Sequence, residues 1–209
     1  MADTAQFWNK LAPRYARKPV PDESIYEKKL EITRSYMRPE HEVLEFGCGT
    51  GSTALRHAPH VRSIRATDFS SEMIHIAQEK AQDQGITNVD FRVAPVTELK
   101  GADETYDVVL GLSILHLLKE KDDVIRWVYR LLRPGGVFVT STACIADISR
   151  LLGFIAPLGG KLGLLPEISV FTRDNLLASF ESAGFALDHV WEPHSKKTNG
   201  IFVVAKKPE

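Results

Sequence analysis

Several features are scarce or missing in this sequence, and each absence narrows the classes of protein it can be. There are only two cysteines, Cys48 and Cys144, which is too few for a disulfide framework and fits a reducing compartment. The formal net charge is −1, so no general electrostatic attraction to nucleic acid or to a membrane is expected. No uninterrupted apolar run approaches the roughly 20 residues that a membrane-spanning helix needs.

Two further patterns are missing. The first residues lack the basic-then-apolar pattern of a signal peptide, so we expect a cytoplasmic protein. No clustered Cys/His spacing indicates a metal site, and no bound metal is expected. With 209 residues and 44% hydrophobic content, the chain is long enough to bury one full core, and we predict one domain over residues 1–209.

The most informative stretch is a short apolar run followed by a turn that is dense in glycine. Val43, Leu44 and Phe46 form a run that predicts a buried strand, stopped abruptly by glycine. The glycines recur at every second position, which allows positive φ and close approach of the backbone to a ligand. A helix start at 52–55 follows, and its unpaired N–H groups and positive dipole end suit an anion. The stretch predicts a nucleotide-type pocket on an α/β sheet.

Two glycine fingerprints compete for this turn. A dinucleotide-binding turn, G-x-G-x-x-G, would place its third glycine where this chain has Ser52. Instead the third glycine comes one residue earlier, and an acid stands two residues before the first glycine. This arrangement resembles the first motif of the class I S-adenosylmethionine (SAM) dependent methyltransferases, notably the ubiquinone/menaquinone methyltransferase-like group. The residues that carry the resemblance are Glu45-Phe46-Gly47-Cys48-Gly49-Thr50-Gly51.

Two later segments strengthen the resemblance. Asp68 ends a second predicted strand about 20 residues beyond the glycine turn, where a carboxylate can accept hydrogen bonds from ribose hydroxyls. The other interpretation of Asp68 is an ordinary acid at a helix N-terminus, with Ser70 and Ser71 as caps. The Leu-Arg-Pro-Gly-Gly phrase at 132–136 resembles the turn that precedes the fifth strand of the family.

The resemblance covers nearly the whole chain and implies a Rossmann-like α/β class I methyltransferase fold. That fold has a seven-stranded, mostly parallel sheet with one antiparallel strand and helices on both faces. The alternation of apolar runs with amphipathic segments from Val43 onward agrees with it. The expected segments are an N-terminal helical cap (4–37), a SAM-binding core (38–142), a variable lid or acceptor segment (143–170) and a C-terminal helix and strand pair (171–209).

The resemblance also implies SAM as the cofactor, with S-adenosylhomocysteine as its product. Phe69 and Met73 would lie against the adenine. Family members often have an acid after the third strand, whereas this chain has Ala94-Pro95-Val96, so backbone groups there would recognise the adenine. The predicted cofactor-binding residues are Glu45, Gly47, Cys48, Gly49, Thr50, Gly51, Asp68, Phe69, Met73, Ala94, Pro95, Val96, Gly111 and Leu112.

Two residues are candidates for chemistry at the methyl acceptor. Tyr15 lies in a segment that resembles the one closing over the cofactor in many small-molecule methyltransferases, and it would face the transferred methyl group. His116 follows an apolar strand and is either a base near the acceptor or a structural histidine that bonds a backbone carbonyl. Residues 151–165 crowd large apolar side chains among glycines and a proline, which indicates a lid, an interface or a shallow membrane contact.

Two family-specific phrases are missing. There is no Asn/Asp-Pro-Pro-aromatic phrase at 111–114, as in amino-methylating enzymes, and neither cysteine follows a proline, as in cytosine-C5 enzymes. We therefore predict a methyltransferase for a small-molecule or lipid-like acceptor, without nucleic acid and with at most peripheral membrane contact. Two other interpretations stay open: a SAM-binding regulatory protein without turnover, and a nicotinamide-dependent dehydrogenase, which Ser52 disfavours.

Overall fold

The structure is a computed structural model that describes residues 2–96, 102–148, 168–193 and 200–209. Its helices are α1 (Ala2–Ala16), α2 (Glu23–Arg34), α3 (Ser52–His57), α4 (Ser71–Asp83), α5 (Lys121–Leu131), α6 (Ile145–Ile148) and α7 (Arg173–Ser182). Its strands are β1 (Glu42–Phe46), β2 (Ser63–Asp68), β3 (Val89–Val93), β4 (Tyr106–Leu112), β5 (Leu132–Thr142), β6 (Ala186–Trp191) and β7 (Ile201–Lys206).

The strands form one seven-stranded sheet in the order β3-β2-β1-β4-β5-β7-β6. The β1–β2, β1–β4, β2–β3 and β4–β5 pairs are parallel, whereas β7 runs antiparallel to both β5 and β6. The predicted fold, including its antiparallel strand near the C-terminus, is confirmed. Because β1 lies between β2 and β4, the turn after Phe46 opens at the middle of the carboxyl edge of the sheet.

The core lies on both faces of the sheet, because successive side chains of a strand point to opposite faces. Leu44 and Phe46 of β1 join α5 and α7 in one apolar cluster, which includes Val128 and Phe180. Val43 joins α3 and α4 in the other cluster. Burial on both faces explains why β4 reads as a nearly continuous apolar run.

The N-terminal segment forms two helices, and the first of them contains a proline. Proline usually breaks a helix, but α1 runs through Pro13 to Ala16. Proline removes one intrahelical hydrogen bond, and α1 is held from outside because Asn9 Oδ1 accepts hydrogen bonds from Ser70 Oγ and the Glu72 N–H of α4. Asp22 caps α2 by accepting from the Ile25 N–H.

The fifth strand begins earlier than the sequence indicates. The phrase at 132–136 was expected to form the turn before this strand, but β5 spans Leu132–Thr142, so residues of the phrase also take part in the sheet. Lys207 extends this pairing, because its N–H bonds the Gly136 carbonyl. The predicted lid at 151–165 lies outside the described residues. No helix in the described ranges is long and apolar enough to cross a bilayer.

Candidate functional site

The glycine turn after β1 has three glycines with positive φ: 65° at Gly47, 54° at Gly49 and 73° at Gly51. A Cβ at Gly47 would lie 2.9 Å from the Ile114 side chain, and one at Gly51 would lie 2.7 Å from Phe91 Cζ. Among the described residues, a Cβ at Gly49 would meet only Tyr15 Cε1, at 3.8 Å. Gly47 and Gly51 are therefore required by packing, whereas the described residues leave space around Gly49.

The Asp68 carboxylate is tied to the glycine turn in the folded protein. Its Oδ2 accepts from the Gly49 N–H at 3.0 Å, and its Oδ1 accepts from the Ser70 N–H at 2.9 Å. Ser70 also caps α4 by accepting from the Met73 N–H, as the helix N-terminus interpretation expects, while the ribose role of Asp68 stays a prediction. Burial raises the pKa of Asp68, and the backbone hydrogen bonds partly oppose this shift. Each carboxylate oxygen still has a lone pair for a further donor.

Glu45 is a buried acid, and one of its carboxylate oxygens has no hydrogen-bond partner among the described residues. Its side chain is 3% exposed, and the unpartnered oxygen is Oε2. Burial and, to a smaller extent, the Asp68 carboxylate raise the pKa of Glu45 to about 8. Burying an unpaired carboxylate costs free energy, so the acid is protonated at neutral pH unless a cation or donor reaches it.

The turn is braced from below by a lysine that sequence reasoning did not identify. Lys80 Nζ on α4 donates to Thr50 O at 3.2 Å, to Thr50 Oγ1 at 2.9 Å and to Ser52 Oγ at 3.2 Å. Its three donors thus hold the end of the turn and the first residue of α3. Because these contacts span 28 and 30 positions in sequence, no local pattern reveals them.

A cavity of about 440 Å³ adjoins the turn on the side of α2. Its walls come from the α1–α2 connection, from α2, from the glycine turn and from the carboxyl ends of β4 and β5. The polar or charged side chains on these walls include Lys18, Asp22, Tyr26, Lys29, Glu45, Thr50, His57, Ser113 and Ser141. The cavity therefore joins the predicted cofactor turn to the edge of the sheet where acceptors bind in open α/β folds.

The residues predicted to contact adenine have mixed surroundings. Met73 is only 2% exposed, whereas Phe69 is partly exposed at the end of β2. The Ala94 N–H donates to the Asp68 carbonyl at 2.9 Å, so it is already used. Pro95 has no N–H, which leaves the Val96 N–H and the carbonyl groups for the predicted backbone recognition. The role of these residues stays a prediction.

Consecutive residues at the end of β4 have different surroundings: one packs in the core and the next two line the cavity. Gly111 is buried, and a Cβ there would lie 2.6 Å from Phe46 Cζ, so this glycine allows aromatic packing beneath the site. The next two residues, Leu112 and Ser113, line the cavity. Ser113 has a φ of 56°, a strained value for a residue with a side chain, and its N–H bonds the Ser141 carbonyl at 2.6 Å.

Tyr15 lies near the turn, as the prediction requires. It lines the cavity and is 46% exposed, and its ring atom Cε1 lies 3.8 Å from where a Cβ of Gly49 would be. Partial burial and the Asp68 carboxylate raise the pKa of Tyr15, so its hydroxyl stays protonated at neutral pH. It is therefore a hydrogen-bond donor or a wall of the site rather than a base.

His116 lies in a 3-10 turn, Leu115–Leu117, after β4. Its Nδ1 is 3.1 Å from Thr142 Oγ1 at the end of β5, and its carbonyl accepts from the Ser169 N–H. The backbone carbonyl expected for a structural histidine is thus replaced by a threonine hydroxyl. Burial lowers the pKa of His116, so the ring is neutral at pH 7 and able to accept a proton.

The comparisons with known proteins define the class. Residues 43–136 match a family described as a methyltransferase domain. This match spans the glycine turn, Asp68 and the phrase that enters β5. Together with the relatives below, it makes residues 43–136 similar to the corresponding domain of the class I SAM-dependent methyltransferases.

Among the relatives, YcgJ of Bacillus subtilis (strain 168), described as an uncharacterized methyltransferase, is 32% identical over 110 residues, or 53% of this chain and 44% of YcgJ. The ubiquinone/menaquinone biosynthesis C-methyltransferase UbiE of Vibrio campbellii is 31% identical over 113 residues, which are 52% of this chain and 44% of UbiE. The arsenite methyltransferase of Halobacterium salinarum is 30% identical over 158 residues, which are 71% of this chain and 38% of that enzyme. The chain thus spans less than half the length of each of these relatives.

The crystal structure of YcgJ matches the fold. Its TM-score is 0.73 at 19% identity, and the match covers 88% of this chain and 99% of that one. At this identity the likeness concerns the fold alone. Within the described residues, no group of three or more His, Cys, Asp or Glu side chains is arranged to hold a metal ion.

Proposed function

We propose that this protein binds SAM on the glycine turn and transfers its methyl group to a small-molecule acceptor in the adjoining cavity. The observation that carries the proposal is the continuity of the site. One cavity is lined by the turn, by the unmatched acid Glu45 and by the carboxyl ends of β4 and β5. A shared space of this kind allows a donor and an acceptor to meet.

The residues of the turn fit SAM. Gly49 borders open space, and Asp68 keeps accepting capacity for ribose hydroxyls. The unpartnered Oε2 of Glu45 suits the positively charged amino group of the methionyl part, since an opposite charge favours the ionised acid. When bound, SAM supplies a methyl group already activated on a sulfonium.

The protein's own contribution is mainly alignment and exclusion of water. Positioning of two reactants can lower a barrier by several kcal/mol without any covalent participation of the protein. Tyr15 forms a wall beside the turn. His116 is not among the residues that line the cavity, so its neutral ring would take a proton only from an acceptor that extends beyond the cavity to it. A single domain over residues 1–209 remains part of this proposal.

The names of the relatives suggest two very different acceptors, and the cysteines favour one of them. Arsenite is thiophilic, and thiolates are the soft ligands that bind such centres. Both cysteines here are buried; burial raises the pKa of Cys144 to about 11 and that of Cys48 well above its usual value. Both therefore stay protonated thiols at pH 7. An organic acceptor, of the kind the name of UbiE indicates, is the better fit.

Calorimetry and product analysis test this proposal. The purified protein should bind SAM and S-adenosylhomocysteine, and incubation with labelled SAM and a metabolite extract should yield a methylated product detectable by mass. SAM binding without any product would support the regulatory interpretation instead. Binding of NADH but not of SAM would support the dehydrogenase.

His116→Ala separates the two roles of this histidine. Loss of a catalytic base should lower kcat by about 100-fold or more while SAM affinity and melting temperature change little. Loss of a structural bond to Thr142 should instead lower the melting temperature, and Thr142→Val should then reproduce the effect. A drop in kcat that Thr142→Val reproduces in full would contradict the base assignment.

A further inference from the structure

Lys29 on α2 reaches from the N-terminal cap to the carboxyl end of β5. Its Nζ donates to Ser141 Oγ at 2.7 Å, a contact between residues 112 positions apart. Both residues line the cavity next to the glycine turn. An ammonium group has three N–H donors, so the bond to Ser141 leaves two donors that a ligand can use.

Lys29 has no carboxylate as an ion-pair partner among the described residues, and burial alone lowers its pKa. The neighbouring lysine on the same helix differs in this respect, because Lys28 is exposed and pairs with Glu31 at 2.9 Å. Holding a partly buried cation without a counter-charge costs free energy. A ligand that supplied the counter-charge would recover that cost.

The other charged groups around the cavity do not take this role. Glu45 is a buried acid that also lines the cavity, and in the protein without ligand its pKa of about 8 keeps it protonated and neutral at pH 7. Asp22 is engaged as the cap of α2 by the Ile25 N–H and Ser24 Oγ. Lys18 adds a second, exposed cation to the rim. Among the charged side chains that line this cavity, Lys18 and Lys29 thus outnumber the Asp22 carboxylate, so the excess charge is positive at neutral pH while Glu45 is protonated.

We propose that Lys29 binds an anionic oxygen of a bound substrate at the carboxyl end of β5. This inference rests on the proposed function, and it deepens that function by giving the substrate a charge. Two substrates could supply the oxygen: the acceptor, as a carboxylate or other acidic oxygen, or SAM itself, through its methionyl carboxylate. The position favours the acceptor, because Ser141 lies on β5, two strands away from the turn on β1.

The first measurement tests whether SAM supplies the anionic oxygen that Lys29 binds. Calorimetry compares S-adenosylhomocysteine with 5′-methylthioadenosine, which keeps the nucleoside and the thioether but has no amino-acid part. If Lys29 binds the methionyl carboxylate, Lys29→Met should weaken S-adenosylhomocysteine about tenfold or more and leave methylthioadenosine unchanged. If Lys29 serves the acceptor, both affinities should stay as in the wild type.

The second measurement tests the acceptor as the source. With S-adenosylhomocysteine present, fluorine NMR compares binding of 4-fluorobenzoate with that of 4-fluorobenzamide, which has the same shape without the charge. The wild type should prefer the benzoate by about tenfold. Lys29→Met should abolish the preference, and Lys29→Arg should keep most of it because the charge is retained.

Matched variants test whether the preference depends on a charge at this one position. Lys28→Met removes a charge from the same helix outside the cavity, and Lys18→Met removes the exposed charge at the rim. Neither should change the benzoate preference. If Lys29→Met does not fold, Lys29→Gln serves as the neutral variant, since its amide can still donate to Ser141. Melting temperatures establish that each variant is folded.

One result of the two measurements together would contradict the role of Lys29. If neither the nucleoside comparison nor the benzoate preference depends on Lys29, including the case in which no benzoate binds, the assignment is wrong. A preference that disappears with Lys18→Met instead of Lys29→Met would also overturn it. These binding measurements do not depend on turnover, so the absence of a methylated product would contradict the proposed function without deciding the role of Lys29.

Discussion

A methyl group added to the glycine turn meets different neighbours at different positions. At Gly51 it would overlap Phe91 and Ala77, which are core residues of β3 and α4. At Gly49 it would enter the space beside Tyr15, where the ligand is proposed to bind. The three-glycine pattern in the sequence gives no sign of this difference, because it depends on what packs behind the turn.

Alanine substitutions should separate these roles. Gly85 is a control, since its φ is 64° and a Cβ there would meet no described residue within 4 Å. Gly85→Ala should lower the unfolding free energy by about 1–2 kcal/mol, because alanine is strained in the left-handed conformation. Its SAM affinity should be normal. Gly49→Ala should lose as much stability and also bind SAM more weakly. Gly51→Ala should lose about 2–5 kcal/mol, because overpacking adds to strain. Denaturant unfolding and calorimetry measure both quantities, and equal losses at Gly51 and Gly85 would contradict the packing role of Gly51.

Asp68 combines a structural and a proposed binding role. Asp68→Ala should weaken SAM binding by about 1–3 kcal/mol, the usual cost of losing an acceptor of charge-assisted hydrogen bonds. Because Gly49 and Ser70 also lose their acceptor, the melting temperature should fall as well. Asp90→Ala, at an exposed ion pair with Arg92, is the control and should leave SAM affinity unchanged. Unchanged affinity in a folded Asp68→Ala protein would remove Asp68 from the binding site.

At the scale of elements, local sequence patterns identified most of the sheet. The strands at Val89–Val93 and Tyr106–Leu112 follow clear local patterns, since the first alternates apolar and polar residues and the second is a nearly continuous apolar run. The extension of β5 back to Leu132 was missed, since pairing with β4 and β7 overrides the turn signal of Pro134 and its glycines. Lys29, Lys80 and Ser141 were missed as site residues for a related reason. Their contacts join distant segments, and nothing in their own neighbourhoods marks them.

The brace between α4 and the glycine turn gives a test at this scale. Lys80→Met keeps the length of the side chain and removes three donors to Thr50 and Ser52. We expect the unfolding free energy to fall by about 1–2 kcal/mol. SAM affinity should fall several-fold, because the end of the turn is less firmly held. Lys28→Met, at an exposed ion pair, should change stability by less than about 0.5 kcal/mol. Normal SAM affinity in Lys80→Met would show that the turn does not need the brace.

At the scale of the whole molecule, two buried groups make stability depend on pH in opposite directions. The folded-state pKa of Glu45 is raised to about 8, so the folded protein holds this proton more tightly, and stability falls as pH rises from about 4.5 to 8. Burial, followed by nearby positive groups, lowers the pKa of His57 to about 3, so its contribution grows as pH rises from 3 to about 6.5. Above pH 6.5 the His57 contribution is constant.

The interval from pH 6.5 to 8 therefore isolates Glu45 from His57. The unfolding free energy of the wild type should fall by about 1–2 kcal/mol over this range. Glu45→Gln should show a much smaller fall, because the amide does not titrate. Bound SAM should reduce the dependence in the wild type, since its positive charge favours the ionised acid. Parallel curves for the wild type and Glu45→Gln would contradict the raised pKa.

The position of α1 has a consequence for the speed of the reaction. Tyr15 lies beside Gly49, and Asn9 anchors the same helix to Ser70, the residue next but one after the proposed ribose ligand Asp68. A nucleoside that enters or leaves between Gly49 and Tyr15 must displace this ring. If the proposed reaction follows this route, each catalytic cycle would include a conformational step of α1. Where chemistry is fast, the departure of S-adenosylhomocysteine past Tyr15, and not methyl transfer, would set the turnover rate.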